Sequence, residues 1–394
     1  VVGAAYLGLL HLAQRLLGPG AWSDGAHLVV LVGVGVVITI LTRVLGSPGD
    51  VELLVDNIHV LGGSDDTRSL RSLIPISLIG IGAGSTLGPE APLVQTTGTI
   101  GTWLGRRAGA TTDEVRVVTI TGMAAGFSVL FGAPLGAAFF ALEILHRRGL
   151  EYYEALMPAL VGSLCGYAMS IELQRAGLRP VWDLGHATAL HPVDLLWALG
   201  IGVAGAALTY VFTWTSVGVG GVIRRLPFWS RPALGGLVLG LAALITPYAL
   251  TNGEVNIEHL VHAPLVVKTL VLAVVAKFVL SAVLGSFGWR GGFIIPLFFV
   301  GYGLGELVHH MVPGTNRVAL IAAFMVAINV GVTKTPVGTT LVVSEMAGLV
   351  NLPSTIIAAV TTMLLTSGQG LLHSQRRRGG AIDIPERSST WPTT

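Results

Sequence analysis

Seven long windows of the chain contain no Asp, Glu, Lys or Arg: residues 25–42, 72–89, 117–142, 155–171, 195–223, 232–253 and 346–375. A membrane-spanning helix needs about 20 apolar residues, so these windows predict repeated bilayer crossings. With shorter apolar stretches they run almost end to end. The pattern predicts an all-α polytopic membrane protein, with one transmembrane domain over residues 1–378 and a polar tail over 379–394 rich in Arg, Ser, Thr and Pro. The opening Val1-Val2-Gly3-Ala4-Ala5 lies inside an apolar helix and reads as a trimmed start, not a cleavable signal peptide.

Four segments are too short, or too interrupted by Gly and Pro, to cross fully: residues 50–60, 90–105, 293–305 and 334–346. Irregular backbone at membrane depth is tolerated only where it is buried in protein or lines a wet cavity. The starts of such broken helices carry unpaired N–H groups and partial positive charge. An anion-conducting site is the physical inference.

These segments also repeat. Ala133-Pro134-Leu135-Gly136 runs to Glu143, and Thr335-Pro336-Val337-Gly338 runs to Glu345, each Glu nine residues after its Pro. Pro92 leads to Gly101 and Gly105, and Pro296 leads to Gly301 and Gly305. The matched prolines lie 202 and 204 residues apart, which predicts a duplication with halves at roughly 27–172 and 195–374. Duplicated halves with broken helices are a transporter architecture.

Composition agrees: 52% of residues are hydrophobic and 11% charged, against about 25% charged in soluble domains. The 53 glycines suit closely packed membrane helices. A net charge of +2 without interleaved aromatic and basic residues excludes a nucleic-acid partner. Basic clusters close the apolar windows, and the Arg376-Arg377-Arg378 triplet predicts a cytoplasmic C-terminus in a multi-pass cell-membrane protein. Cys165 is alone, which precludes an intrachain disulfide, and is expected to be a buried inert thiol. His309-His310 after Glu306 lacks a second pair at zinc spacing, so no metal is expected. Lys277 and Lys334 stand inside apolar helices, where a cation faces a water path, a partner or, by snorkelling, the interface. A membrane-embedded enzyme is disfavoured, because the sequence has neither a nucleophile with a base nor a His-Glu-x-x-His motif.

Glu90 is the one carboxylate between Arg71 and Arg106, in Gly88-Pro89-Glu90-Ala91-Pro92-Leu93-Val94-Gln95 with Gly98, Ile100 and Gly101 beyond. This segment resembles the Gly-Arg-Glu-Gly-Pro signature of the CLC family of chloride channels and proton/chloride exchangers. Gly292-Phe293-Ile294-Ile295-Pro296 is similar to the family's Gly-Ile-Phe-Ala-Pro. Phe131-Gly132-Ala133-Pro134-Leu135, and the stretch from Thr335-Pro336 to Ser344-Glu345-Met346, resemble its Asn-Ala-Pro-Leu turn and the second-half copy of that turn. The matches keep the family's order from about residue 46 to residue 374.

The resemblance implies two inverted-topology halves and a homodimer with two separate pores. It implies an interface at about residues 132–165 and 334–366, and there the small residues Gly136, Ala137, Ala138, Gly338, Thr339 and Thr340 are expected to pack between subunits. It makes Glu90 the gate and proton acceptor. Anion contacts are expected at the Phe293 and Ile294 amides and at Glu90 and Ala91, with bound chloride but no cofactor.

Departures bear on mechanism. Ser47, in Gly46-Ser47-Pro48, falls where the family has a Ser that touches the anion, and is read as a ligand ahead of a helix cap. His373 aligns with an anion-contacting Tyr; it either donates to chloride or is the first polar residue outside the membrane. Ile144 falls where many exchangers carry an inner proton-relaying Glu, whereas Glu143 is read as structural. The favoured expectation is proton-coupled exchange of chloride or a similar anion across the bilayer. The alternative is a passive chloride channel, gated by voltage or pH.

Overall fold

The structure is a computed structural model that describes residues 1–49, 51–64, 67–148, 152–178, 184, 188–262, 265–368 and 376–377. Its helices in the first half are α1 (Val2–Leu17), α2 (Asp24–Leu45), α3 (Val51–Leu61), α4 (Thr67–Gly82), α5 (Glu90–Arg107), α6 (Thr112–Phe131), α7 (Pro134–Glu143) and α8 (Leu156–Arg175). Then follow α9 (Pro192–Trp214), α10 (Gly220–Ile223), α11 (Arg231–Ile245), α12 (Glu254–His262), α13 (Val267–Val283), α14 (Ile294–Met311), α15 (Arg317–Thr333), α16 (Pro336–Ala347) and α17 (Leu352–Leu365). A short parallel pairing joins β1 (His146–Arg148) to β2 (Arg376–Arg377). Among the described residues, six helical stretches are long and apolar enough to cross a membrane.

Local chemistry divides the apolar windows. The uncharged run 117–142 is two helices, because Gly132 ends α6 in the left-handed region at φ 65° and Pro134 opens α7. Glycine accepts that conformation without a Cβ penalty, and Pro suits a first helical position whose N–H would have no intrahelical partner. At its other end α6 is fixed by a capping box between Thr111 and Glu114.

The duplication is visible in the packing. Helix α5 lies along α6, which also touches α7 and α8; α14 lies along α15, which also touches α16 and α17. Helices α7 and α16 cross as an antiparallel pair, each closing the other's start. Glu143, at the end of α7, accepts from the Val337 N–H at 3.1 Å and the Gly338 N–H at 2.7 Å. Glu345, near the end of α16, accepts from the Leu135 N–H at 3.2 Å. The Pro-to-Glu spacing is therefore the length of a helix whose terminal carboxylate caps its counterpart. Substituting Gln for Glu143 sets an amide NH₂ against one of two backbone donors. The expected cost is about 1–3 kcal/mol, read as a lower melting temperature in detergent with the pH response of transport unchanged.

This crossing corrects the expected interface. Gly136 and Gly338 are buried within the chain: a Cβ on Gly136 would meet Val342, and one on Gly338 would meet the Phe140 backbone. Ala137, Ala138, Thr339 and Thr340 are buried as well. The small residues serve the approach of α7 to α16 inside one subunit, and the outer faces of these segments carry exposed Leu135, Met157, Val161, Val337 and Val360 instead. Cys165 is also exposed on α8 rather than buried; an apolar helix at the periphery of a membrane protein turns such residues toward lipid. Lys334 does not reach an interface. It is buried at the end of α15 and its Nζ donates to the Thr366 carbonyl and hydroxyl at 2.8 and 2.7 Å.

Candidate functional site

The starts of the matched helices α5 and α14 meet head to head. Gly88 and Gly292, in the loops before them, form an antiparallel bridge in which Gly88 N–H donates to Gly292 O at 2.8 Å and Gly292 N–H to Gly88 O at 2.6 Å. Neither glycine carries a Cβ where the Glu90 carboxyl group sits, and a Cβ on either would crowd that group. Pro92 and Pro296 occupy equivalent places and have no N–H. The helical ladders then start with Leu93 N–H to Pro89 O and Leu297 N–H to Phe293 O, each at 3.0 Å. The amides ahead of each ladder have no partner within their own helix.

Glu90, the first residue of α5, is wholly buried and turned across to the other half. Its Oε1 accepts from the Ile295 N–H in the first turn of α14. Its Oε2 has no hydrogen-bond partner among the described residues. The carboxyl group thus occupies the kind of place an anion takes at a helix N-terminus. The sequence reading chose the Phe293 and Ile294 amides but missed Ile295, whose N–H is the one Glu90 engages. The signal available was Pro296: it removes the next donor and leaves Ile295 as the last open amide of the turn.

Below this contact lies a cavity of about 40 Å³ lined by Ala91, Val94, Met123, Phe127, Ile144, Gly292, Phe293, Ile294 and Thr333. A buried water needs roughly 10–15 Å³ on the same scale, so the space has room for a few water-sized species, and the surface it exposes is apolar. The fold brings together Glu90, Ala91, Phe293, Ile294 and Ile144. Ser47 is separate: its side chain is exposed, and it does not line this cavity. Its loop nevertheless abuts α5, since Gly49 packs against Gln95 and Ser69. His373 lies outside the described residues.

Lys277 meets its partners in the interior. It is 0% exposed, so it does not snorkel. Its Nζ donates to the carbonyls of Leu250 and Thr251 at 2.8 and 2.5 Å, 5.4 Å from the Phe299 ring centroid. Thr251 N–H donates to Gly84 O at 2.9 Å. The ammonium thereby braces the loop leading to Gly88 and Glu90, a role that sequence reasoning could not assign because its partners are backbone atoms. Elsewhere, Arg317 pairs with Glu306 and donates to Tyr302 Oη at 3.0 Å, and His309 Nδ1 lies 3.1 Å from Thr315 Oγ1.

Residues 34–367 match the family described as voltage gated chloride channel. A chloride/fluoride channel protein of Pseudomonas syringae pv. tomato is 26% identical over 367 residues, covering 87% of this chain and 76% of that protein. Among solved structures, a CLC-type fluoride/proton antiporter superposes with TM-score 0.78 at 21% identity, covering 96% of both chains. A slow cyanobacterial Cl⁻/H⁺ antiporter superposes with TM-score 0.79 at 20% identity, covering 94% of this chain and 93% of that one. The fold is shared with both.

Proposed function

Because the chain belongs to the voltage gated chloride channel family, we propose that this multi-pass membrane protein moves chloride or a similar small anion in exchange for protons, with Glu90 as the gate. The observation that carries this reading is the Glu90 carboxyl group held on the Ile295 N–H of the opposite half, above a cavity lined by Ala91, Phe293 and Ile294. Ionised Glu90 competes with an anion for these helix starts. Once protonated it loses its attraction to them, swings away and admits the anion, which is then held by backbone amides. Anion flux therefore rises as pH falls. The names of the relatives, a chloride/fluoride channel protein and fluoride/proton and Cl⁻/H⁺ antiporters, support a small halide as cargo.

Ser47 and His373 are proposed as further anion donors, and no cofactor is invoked beyond the bound anion. The protein is proposed to work as a homodimer in a lipid bilayer, joined through the outer apolar faces of α8 and α17, with its C-terminus in the cytoplasm.

One observation favours the channel reading: Ile144 presents an aliphatic side chain to the cavity, where a carboxylate would relay a proton. Reversal potentials in planar bilayers under a pH gradient decide between the two. Coupled exchange shifts the reversal potential away from the anion equilibrium value, whereas a channel leaves it there.

A further inference from the structure

We propose that Arg224, Arg225 and Arg231, with the Ser286 hydroxyl, form a binding site for the phosphate headgroup of an anionic phospholipid at one interface of the bilayer. The proposal is independent of whether transport is exchange or channel conduction.

The site lies where two lipid-facing helical surfaces run out. The helical stretch Pro192–Ile223 has 32 residues, more than the about 20 that cross the hydrocarbon, and its last part carries exposed Trp214, Val217 and Val222. A π-helical turn at Thr215–Val219 interrupts it, and such turns inside α-helices often mark functional sites. Arg224 and Arg225 follow, both exposed. The chain then turns back to start α11 at Arg231. Trp229 in that turn is exposed, and its carbonyl accepts from Thr39 Oγ1 on α2 at 3.5 Å. Tryptophan beside arginine at the end of an apolar surface belongs at the level of the lipid headgroups.

The arginines are held around one segment and lack a counter-charge. Arg224 Nη1 donates to Ser286 Oγ at 3.2 Å, 62 residues away in the chain. Gly220 makes room for this contact, since a Cβ there would meet the Ser286 hydroxyl. The segment 286–289 also reaches the start of α11: Trp289 Nε1 donates to Pro232 O at 2.9 Å, and a Cβ on Gly288 would touch Phe228. The Arg231 guanidinium lies 5.3 Å from the Phe228 ring centroid, which fixes its plane. Its Nε is buried and has no hydrogen-bond partner among the described residues, so a donor there awaits an acceptor. The Ser230 hydroxyl donates to Pro227 O at 3.0 Å instead of capping α11, leaving the positive end of that helix on the same side. Among the described residues none of the three arginines forms an ion pair.

Like charges gathered without a carboxylate repel one another, and a phosphodiester relieves that repulsion. The planar guanidinium matches two phosphate oxygens at once, and basic pockets between transmembrane helices are suited to acidic headgroups. The flanking Trp214, Val222 and Trp229 supply apolar surface for the glycerol and upper acyl chains, which a free phosphate ion does not need.

The competing role is an ordinary interfacial fringe that meets headgroups without selection. The test adds phosphatidylglycerol or phosphatidylcholine with the same acyl chains to the full chain in mild detergent and reads bound lipid by native mass spectrometry. Phosphatidylglycerol is expected to bind at least about tenfold more tightly, and the double variant Arg224→Gln, Arg231→Gln is expected to lose that preference. Arg107, whose guanidinium lies 5.4 Å from the Trp103 ring centroid, is an arginine–tryptophan pair elsewhere on the surface, and Arg107→Gln should keep the preference. Equal binding of the two lipids by the wild type overturns the proposal, as does an equal loss in Arg107→Gln, the signature of a fringe. Displacement of phosphatidylglycerol by millimolar inorganic phosphate also overturns it, in favour of a site for the free ion. Should the double variant not fold, Arg225→Gln, at an exposed position, decides alone. An unchanged preference in the folded variants overturns the proposal.

Discussion

Replacing Glu90 by Gln is expected to give a folded protein whose anion flux no longer responds to pH and which carries no protons uphill. Gln is nearly isosteric with the protonated carboxyl group, so the buried site keeps its shape. What Gln cannot do is ionise. In the wild type, acidification neutralises the gate and raises flux, and alkalinisation restores the carboxylate and lowers it. The variant stays fixed in the neutral condition, so its flux should stay at the acid level across the range. Loss of a group that transfers a proton in the rate-controlling step costs roughly 10²–10⁴-fold, so proton uptake should fall to the background of empty liposomes. A purely structural Glu90 predicts instead that the wild-type pH response survives in Glu90→Gln. Paired chloride and pH recordings on the same vesicles discriminate, and a retained response would remove both the gate and the mechanism built on it.

Tryptophan at Gly136 or Gly338 should abolish folding rather than dissociate a dimer. A side chain at Gly338 would meet the Phe140 backbone, and one at Gly136 the backbone and side chain of Val342. Overpacking a core that can adjust costs about 1–3 kcal/mol; here backbone would have to move, and the Glu143 and Glu345 caps would part. Neither variant should elute as a monodisperse peak in mild detergent. Tryptophan at Val161 and Val360, both exposed on outer faces, should leave the fold intact and yield monomers. Folded, transporting monomers from Gly136→Trp or Gly338→Trp would restore the small-residue interface.

The contrast between these glycines and the matched motifs marks what the sequence could reveal. Pro134 and Pro336 with their carboxylates nine residues on disclosed the duplication, because proline at a helix start and a charge in an apolar stretch each have few explanations. Glu90 was conspicuous for the same reason. A stripe of small residues, by contrast, specifies close approach without specifying what approaches, so Gly136 and Gly338 were assigned to a second subunit when their partner is the other half of the same chain. Lys277 bonds only carbonyls, and Ile295 contributes only an amide, so neither role leaves a side-chain signature. The run 117–142 read as one uncharged window although Gly132 and Pro134 divide it.

The crossed caps of α7 and α16 also set a timetable for synthesis. Leu135 waits for Glu345, 210 residues later in the chain. At about 5–20 residues per second, the first half stands for roughly 10–40 s with the start of α7 uncapped and Glu143 without the amides it is shaped to receive. A nascent chain halted before residue 336 should therefore expose this pair of defects in the membrane, open to chaperones and quality-control proteases, and completion of α16 should close both together.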